Sequence, residues 1–249
     1  MSGHSKWSQI KRQKGAADAR RGQLFTKLVR EISVAAREGG PEPEANARLR
    51  LAIQRAREAN MPMDTIDRAV KRGGSGEGAA LEEIVYEGYG PGGAAILVEA
   101  VTDNRNRTVA EVRNAFTRGG GNLGESGCVA WNFESRGVIT IEPDGNDPEE
   151  VALRAIDAGA DDFSVADGSI EVYTQPGEVE SVRAALEQLD IKVTAADTAM
   201  VPKTTLEADP KDAVAVLKLM ERLEDLDDVQ RVYTNLELSE EALKEFADR

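Results

Sequence analysis

The stretch GVITIEPDGNDPEEVALRAIDAGADDFSVADGSIEVYTQPGEVESVRAALEQLDIKVTAADTAMVP, residues 137 to 202, decides the fold. Apolar residues alternate in GVITIEP, take helical spacing in DPEEVALRAIDAGA, and alternate again in DFSVAD and SIEVYTQP. GEVESVRAALEQLD and IKVTAADTAMVP then repeat helix and strand, and the middle strands read as a hairpin across Gly168. The order βαββαβ over about 70 residues is a split βαβ unit, the ferredoxin-like sandwich, which is complete in itself.

The flanks are not complete. Residues 205 to 249 supply a helix and a final strand, with room for a short strand before them, too little to bury a core. Residues 79 to 134 supply the strands EIVYEGYG and AAILVEAVT, a helix over TVAEVRNAFTRGGG and a strand over GCVAWNFE. Thr108 and Glu111, three apart, predict a capping box for that helix. The economical reading is one discontinuous α/β domain, 79 to 134 plus 205 to 249, with 135 to 204 inserted in it. Residues 1 to 75 read as helices: Ala19 to Glu38, Ala45 to Ala59, and a third that starts with Asp64 as N-cap and ends at Gly73-Gly74. GGSGEG, 73 to 78, reads as a linker. The expected class is therefore α+β multidomain: an all-helical N-terminal domain, then two α/β domains, one a ferredoxin-like sandwich inserted in the other.

Charge divides the chain at the same place. The net charge is -14, yet residues 1 to 75 hold 16 Lys and Arg against 8 Asp and Glu, so the rest carries -22. Lys6, Lys11, Arg12, Lys14, Arg20, Arg21, Lys27, Arg30 and Arg37 crowd the start, with Trp7 among them and only Asp18 and Glu31 opposing. Such a segment neutralises phosphates and releases their counterions, which points to nucleic acid as partner. The head is expected to form a positive gripping surface held away from the acidic body. On the second helix Arg48 and Arg55 fall on one line and Arg50 and Arg57 on another, flanking the apolar stripe. DNRNRT, 103 to 108, offers Asn104, Arg105, Asn106 and Arg107 in a loop ahead of a helix, able to donate to phosphates or base edges. The acidic runs Asp161-Asp162 and Glu221 to Asp228 lack the loop spacing of a calcium site and read as solvated faces.

Other chemistries find little support. His4 is the sole histidine and Cys128 the sole cysteine, so neither a zinc cluster nor an internal disulfide can form. Cys128 lies in the expected strand CVAWNF, as a small apolar side chain rather than a nucleophile. GYGPGG, 88 to 93, spells G-x-G-x-x-G, but a strand follows where a dinucleotide site needs a helix, so it reads as a hairpin turn. Aromatics at 4% leave stacking a minor role. No apolar run reaches the roughly 18 to 20 residues of a membrane span, and no signal-peptide core is present, so a cytoplasmic protein without membrane contact is expected.

GHSKW (3 to 7), FTKLVREI (25 to 32), NMPMDTIDRAV (60 to 70), YEGYGPGG (86 to 93), DNRNRTVAEVR (103 to 113) and GGNLG (120 to 124) resemble the YebC/PmpR family, which includes mitochondrial translational activators of cytochrome oxidase. The resemblance spans nearly the whole chain and weakens after about residue 135. It implies a helical first domain with two α/β domains, nucleic-acid binding and no catalysis, hence no cofactor, metal or small-molecule substrate. Family members are described as DNA-binding transcriptional regulators, and some resemble ribosome-associated translation factors acting through rRNA. By position, the contacts fall on Lys6, Trp7, Lys11, Arg12, Lys14, Arg20 and Arg21 and on Asn104 to Arg107. Where family members often read Asn-Pro-Arg-Leu-Arg, this chain has Asn46-Ala47-Arg48-Leu49-Arg50.

Overall fold

The fold begins from three helices whose apolar faces meet: α1 (Asp18–Gly39), α2 (Ala47–Glu58) and α3 (Met63–Ser75). The computed structural model describes residues 18–76, 81–166, 169–238 and 240–247. Leu28, Ile32, Leu49, Ala52, Ile66 and Ala69 form the core of this head. Asn46 caps α2 by accepting from the Leu49 amide at 3.0 Å, and its Nδ2 donates to the Ala35 and Gly40 carbonyls at 2.8 Å each. Ala47 takes the first helical position, so the helix starts there without a proline.

Two boundaries in the head differ from the sequence reading. Asp64 is not the N-cap of α3; the cap position is Pro62, without a side-chain bond, and Asp64 sits in the first turn, where a carboxylate suits the helix dipole. Gly73 and Gly74 do not end the helix. A Cβ at Gly73 would fall 2.2 Å from the Ser33 carbonyl oxygen, so glycine there permits the close approach of α3 to α1. Gly76, at φ +68°, closes the helix in the left-handed region. The expected linker is thus helical through Ser75; Glu77 and Gly78 lie outside the described residues.

Beyond the head, β1 (Glu82–Tyr89) and β2 (Ala95–Thr102) form a hairpin whose turn contains a 3-10 segment at Pro91–Gly93. Next come α4 (Arg105–Arg118) and β3 (Asn122–Leu123). Then follow β4 (Phe133–Glu142), α5 (Pro148–Asp157), β5 (Asp162–Ala166), β6 (Ser169–Thr174), α6 (Val179–Gln188) and β7 (Lys192–Pro202). The chain closes with α7 (Pro210–Glu224), β8 (Val229–Thr234) and α8 (Glu240–Ala247), the last not foreseen in the sequence.

Among the described residues two antiparallel four-stranded sheets form, ordered β3-β1-β2-β8 and β5-β6-β4-β7. The second is the ferredoxin-like order, and its unit spans Asn132–Thr204. The first takes β8 from beyond the insertion and pairs it with β2, so its core of Ile96, Val98, Phe116, Leu219, Leu223 and Val232 needs both chain segments. The described head clusters with this sheet in one compact unit.

GCVAWNFE is not a strand over its length. Pairing starts only at Phe133. Before it, the loop is organised by Glu87, buried on β1, whose carboxylate accepts from the amides of Gly127 (2.6 Å), Val129 (2.8 Å) and Ala130 (2.7 Å). A strand cannot point three near-consecutive amides at one carboxylate, and the loop satisfies those donors instead. Cys128 is half-buried in it, its thiol pushed up by burial and by the charge of Glu87.

Candidate nucleic-acid interface

Of the positions expected to contact nucleic acid, Lys6, Trp7, Lys11, Arg12 and Lys14 lie outside the described residues, and Arg20 is described in its backbone only. Arg21 is exposed, its guanidinium 5.6 Å from the Phe25 ring centroid. In DNRNRT the helix begins earlier than the capping-box spacing predicts. Asn104 is the N-cap of α4, accepting from the Arg107 amide at 3.1 Å. Thr108 is inside the helix and fully buried. Asn wins the cap because it stands where the extended backbone turns helical, whereas Thr108 is drawn to a buried carboxylate.

That carboxylate is Asp228, just before β8 and only 2% exposed. Its Oδ2 accepts from Arg107 Nη2 (2.7 Å), Thr108 Oγ1 (2.7 Å) and Thr102 Oγ1 (3.1 Å), while Oδ1 accepts from Arg30 Nη1 (2.7 Å). One side chain therefore ties α1, β2 and α4 to the start of β8. Burial pushes its carboxyl up, but the bonds from Arg107 and Thr108, the charge of Arg30 and the Thr102 hydroxyl hold it below the ordinary range. Arg107, which also meets Asp103 at 2.9 Å, has its pKa raised by the same pairing. The acidic run Glu221 to Asp228 is consequently not a solvated face throughout: Asp228 and Glu224 are buried. Arg105 is exposed, 3.6 Å from Glu82, and Asn106 is exposed as well.

The head does not stand away from the acidic body on its inner side. Arg48 pairs with Glu38 (2.6 Å) and with Glu83 of β1; Arg55 pairs with Glu31, which also meets Arg231 of β8 at 3.4 Å. Lys27 donates to the Glu224 carbonyl and Arg37 to that of Leu81. The two lines of arginines on α2 thus have different employment. Arg48 and Arg55 turn to carboxylates, whereas Arg50 donates to the Pro43 and Glu44 carbonyls and Arg57 is exposed. On α3, Arg68, Lys71 and Arg72 fall on one face, exposed and without a carboxylate partner among the described residues. These outward cations are what the head offers a polyanion.

A second surface was not singled out by sequence reasoning. Between α4 and α7 runs an open groove of about 460 Å³, lined by Ala110, Glu111, Asn114, Ala115, Arg118, Arg222 and Leu226. Helical spacing places Lys218 one turn from Arg222 on the exposed ridge of α7. Among the described residues no cluster of His, Cys, Asp and Glu could hold a metal, and no helix is long and apolar enough to cross a membrane.

A family model described as "TACO1/YebC protein N-terminal domain" matches residues 5–76, and one described as "TACO1/YebC second and third domain" matches residues 81–236. A protein of Pelotomaculum thermopropionicum named "Probable transcriptional regulatory protein" is 54% identical, covering 96% of this chain and 100% of its own length. Relatives of the same name from Herpetosiphon aurantiacus (54% identical, 100% of both chains) and Thermomicrobium roseum (57% identical, 94% of this chain and 96% of the relative) are similar over comparable spans. The crystal structure of a conserved hypothetical protein from Aquifex aeolicus is 48% identical, with a TM-score of 0.81, and the match covers 90% of this chain and 93% of that one.

Proposed function

Because the chain belongs to the TACO1/YebC family, with relatives named as probable transcriptional regulatory proteins, we propose that it is a cytoplasmic, non-enzymatic regulator that binds DNA through its helical head. The observation that carries this reading is the division of the head's cations. Those facing the sheet are paired, while Arg57, Arg68, Lys71 and Arg72 face outward without a carboxylate among the described residues, in a chain of net charge -14. An acidic protein gains nothing in solubility from such a face, and a phosphate array would complement it.

In this reading residues 1 to 75 grip, 79 to 134 with 205 to 249 form the supporting α/β domain, and 135 to 204 are its insertion. Lys6, Trp7, Lys11, Arg12, Lys14, Arg20 and Arg21 extend the gripping surface, joined by Arg105 and Asn106. Asn104 and Arg107 act differently: one caps α4 and the other is held by Asp228, so they position the loop rather than touch the polymer. The remainder's charge of -22 repels the same polymer and orients docking.

The test is duplex binding as a function of salt. Replacing Lys11, Arg12, Lys14, Arg20 and Arg21 with glutamine is expected to flatten the slope of log affinity against log salt by about 0.9 for each phosphate no longer neutralised, up to about 4 to 5 for all five. A wild-type protein that fails to bind duplex at about 50 mM salt, or a variant with the wild-type slope, rejects the reading.

A further inference from the structure

We infer that the groove between α4 and α7 is a second nucleic-acid contact, which seats the phosphodiester backbone of a DNA duplex. The inference rests on the nucleic-acid reading above and adds to it a surface outside the helical head. Three cations mark the place. Arg118 and Arg222 line the groove from opposite helices, and Lys218 stands one turn from Arg222. All three are exposed, and none meets a carboxylate among the described residues.

The contrast with the inner cations of this unit gives the observation its weight. Arg30, Arg107 and Arg231 all sit within 4 Å of an Asp or Glu oxygen. In a chain with 45 acids and 31 Lys and Arg, cations left over on one face imply an anion from outside. The groove suits a backbone rather than a lone anion. Its lining includes the apolar Ala110, Ala115 and Leu226, which accommodate sugar, and Asn114, which adds an amide donor; Glu111 is its one carboxylate, against the two guanidinium groups. Guanidinium groups on both walls match phosphates along a strand, each taking two oxygens at once.

The experiment uses the full chain and a fluorescent DNA duplex of about 30 base pairs, titrated between about 50 and 200 mM salt. The variant Arg118→Gln, Lys218→Gln, Arg222→Gln is expected to flatten the salt slope by up to about 2.7, at about 0.9 for each phosphate released. A control variant, Arg154→Gln, Arg183→Gln, Lys192→Gln, removes the same charge from the ferredoxin-like unit and should keep the wild-type slope. Arg118→Lys with Arg222→Lys should restore most of it. Unchanged thermal unfolding of the groove variant certifies its fold. If the wild type binds and the groove variant keeps its slope, the groove is overturned while the head reading stands. An equal fall in the control overturns it too, because net charge then explains the effect. If the wild type does not bind at all, both readings fail together.

Discussion

Arg107 and Arg118 stand in the first and last turns of the same helix, α4, and carry the same charge, yet Arg107 lies between Asp228 and Asp103 while Arg118 faces solvent at the edge of a groove. The same split divides the head, where Arg48 and Arg55 hold carboxylates and Arg68, Lys71 and Arg72 hold none among the described residues. Inner cations are part of the fold and outer cations are open to a partner. A count of Lys and Arg along the chain merges these two populations. Only the carboxylates brought close by the fold separate them, and two, Asp228 and Glu31, hold cations more than a hundred residues away in sequence.

The sharpest way to break this comparison is to remove the carboxylate that defines the inner class. Asp228→Ala leaves Arg107 and Arg30 without their buried partner and strips Thr102 and Thr108 of an acceptor. Leaving the two buried hydroxyls of Thr102 and Thr108 without this acceptor costs about 1 to 3 kcal/mol each, to be read from urea unfolding. Arg118→Ala should change stability by no more than about 0.5 kcal/mol, as for a surface site. Equal effects from the two would erase the distinction. The pH dependence has a definite sign. Because the folded carboxyl of Asp228 is held below its unfolded value, its contribution is present above about pH 3.9 and is lost as pH falls through the folded value. The variant's deficit should therefore shrink in acid.

Glu87 should give an intermediate effect. Burial pushes its carboxyl up, and the amides of Gly127, Val129 and Ala130 bring it below the ordinary range. Glu87→Gln keeps one acceptor oxygen but turns an NH2 group toward those amides, so about 2 kcal/mol is expected to be lost. The loss should localise to the loop. Tyr89 Oη and Trp131 Nε1 both donate to the Cys128 carbonyl at 2.9 Å, so faster amide exchange at 127–130 and altered Trp131 fluorescence should accompany it. Unchanged exchange there would show that the carboxylate does not organise the loop.

Much of the fold was legible. The alternation and helical spacing in 137 to 202 announced the βαββαβ order, and Leu49, Ala52, Ile53 and Ala56 announced the buried face of α2, since periodicity directly records which side is dry. What escaped depended on distant partners. The strand expected over GCVAWNFE failed because its amides go to Glu87, some forty residues away. Thr108 and Glu111 have the spacing of a capping box, but Asp228 claims the threonine from 120 residues off. Gly73-Gly74 has the letters of a stop, and only the nearness of Ser33 shows that glycine is needed for packing. The site was less legible than the fold for the same reason: charge composition is local, whereas charge pairing is tertiary.

The smallest expected effect has the opposite sign and probes a half-buried carboxylate of the inner surface. Glu99 of β2 lies where the β2–β8 register shifts, and its carboxylate accepts from Tyr233 Oη at 3.1 Å. Burial pushes it up, the Tyr233 bond pulls it partly back, the charges of Glu83 and Glu31 push it further up, and Arg48 opposes them, with the net shift upward. An acid whose folded value is raised binds its proton more tightly folded than unfolded, so ionisation destabilises the fold above that value, and the penalty lifts as pH falls through it. Glu99→Gln retains an acceptor for Tyr233 without the charge, and should raise the unfolding midpoint at pH 7 by about 2 to 4 °C if the penalty is about 1 kcal/mol. The gain should vanish near pH 4, where wild-type Glu99 is itself protonated. A destabilised variant at pH 7 would mean that Arg48 and Arg231 need this carboxylate.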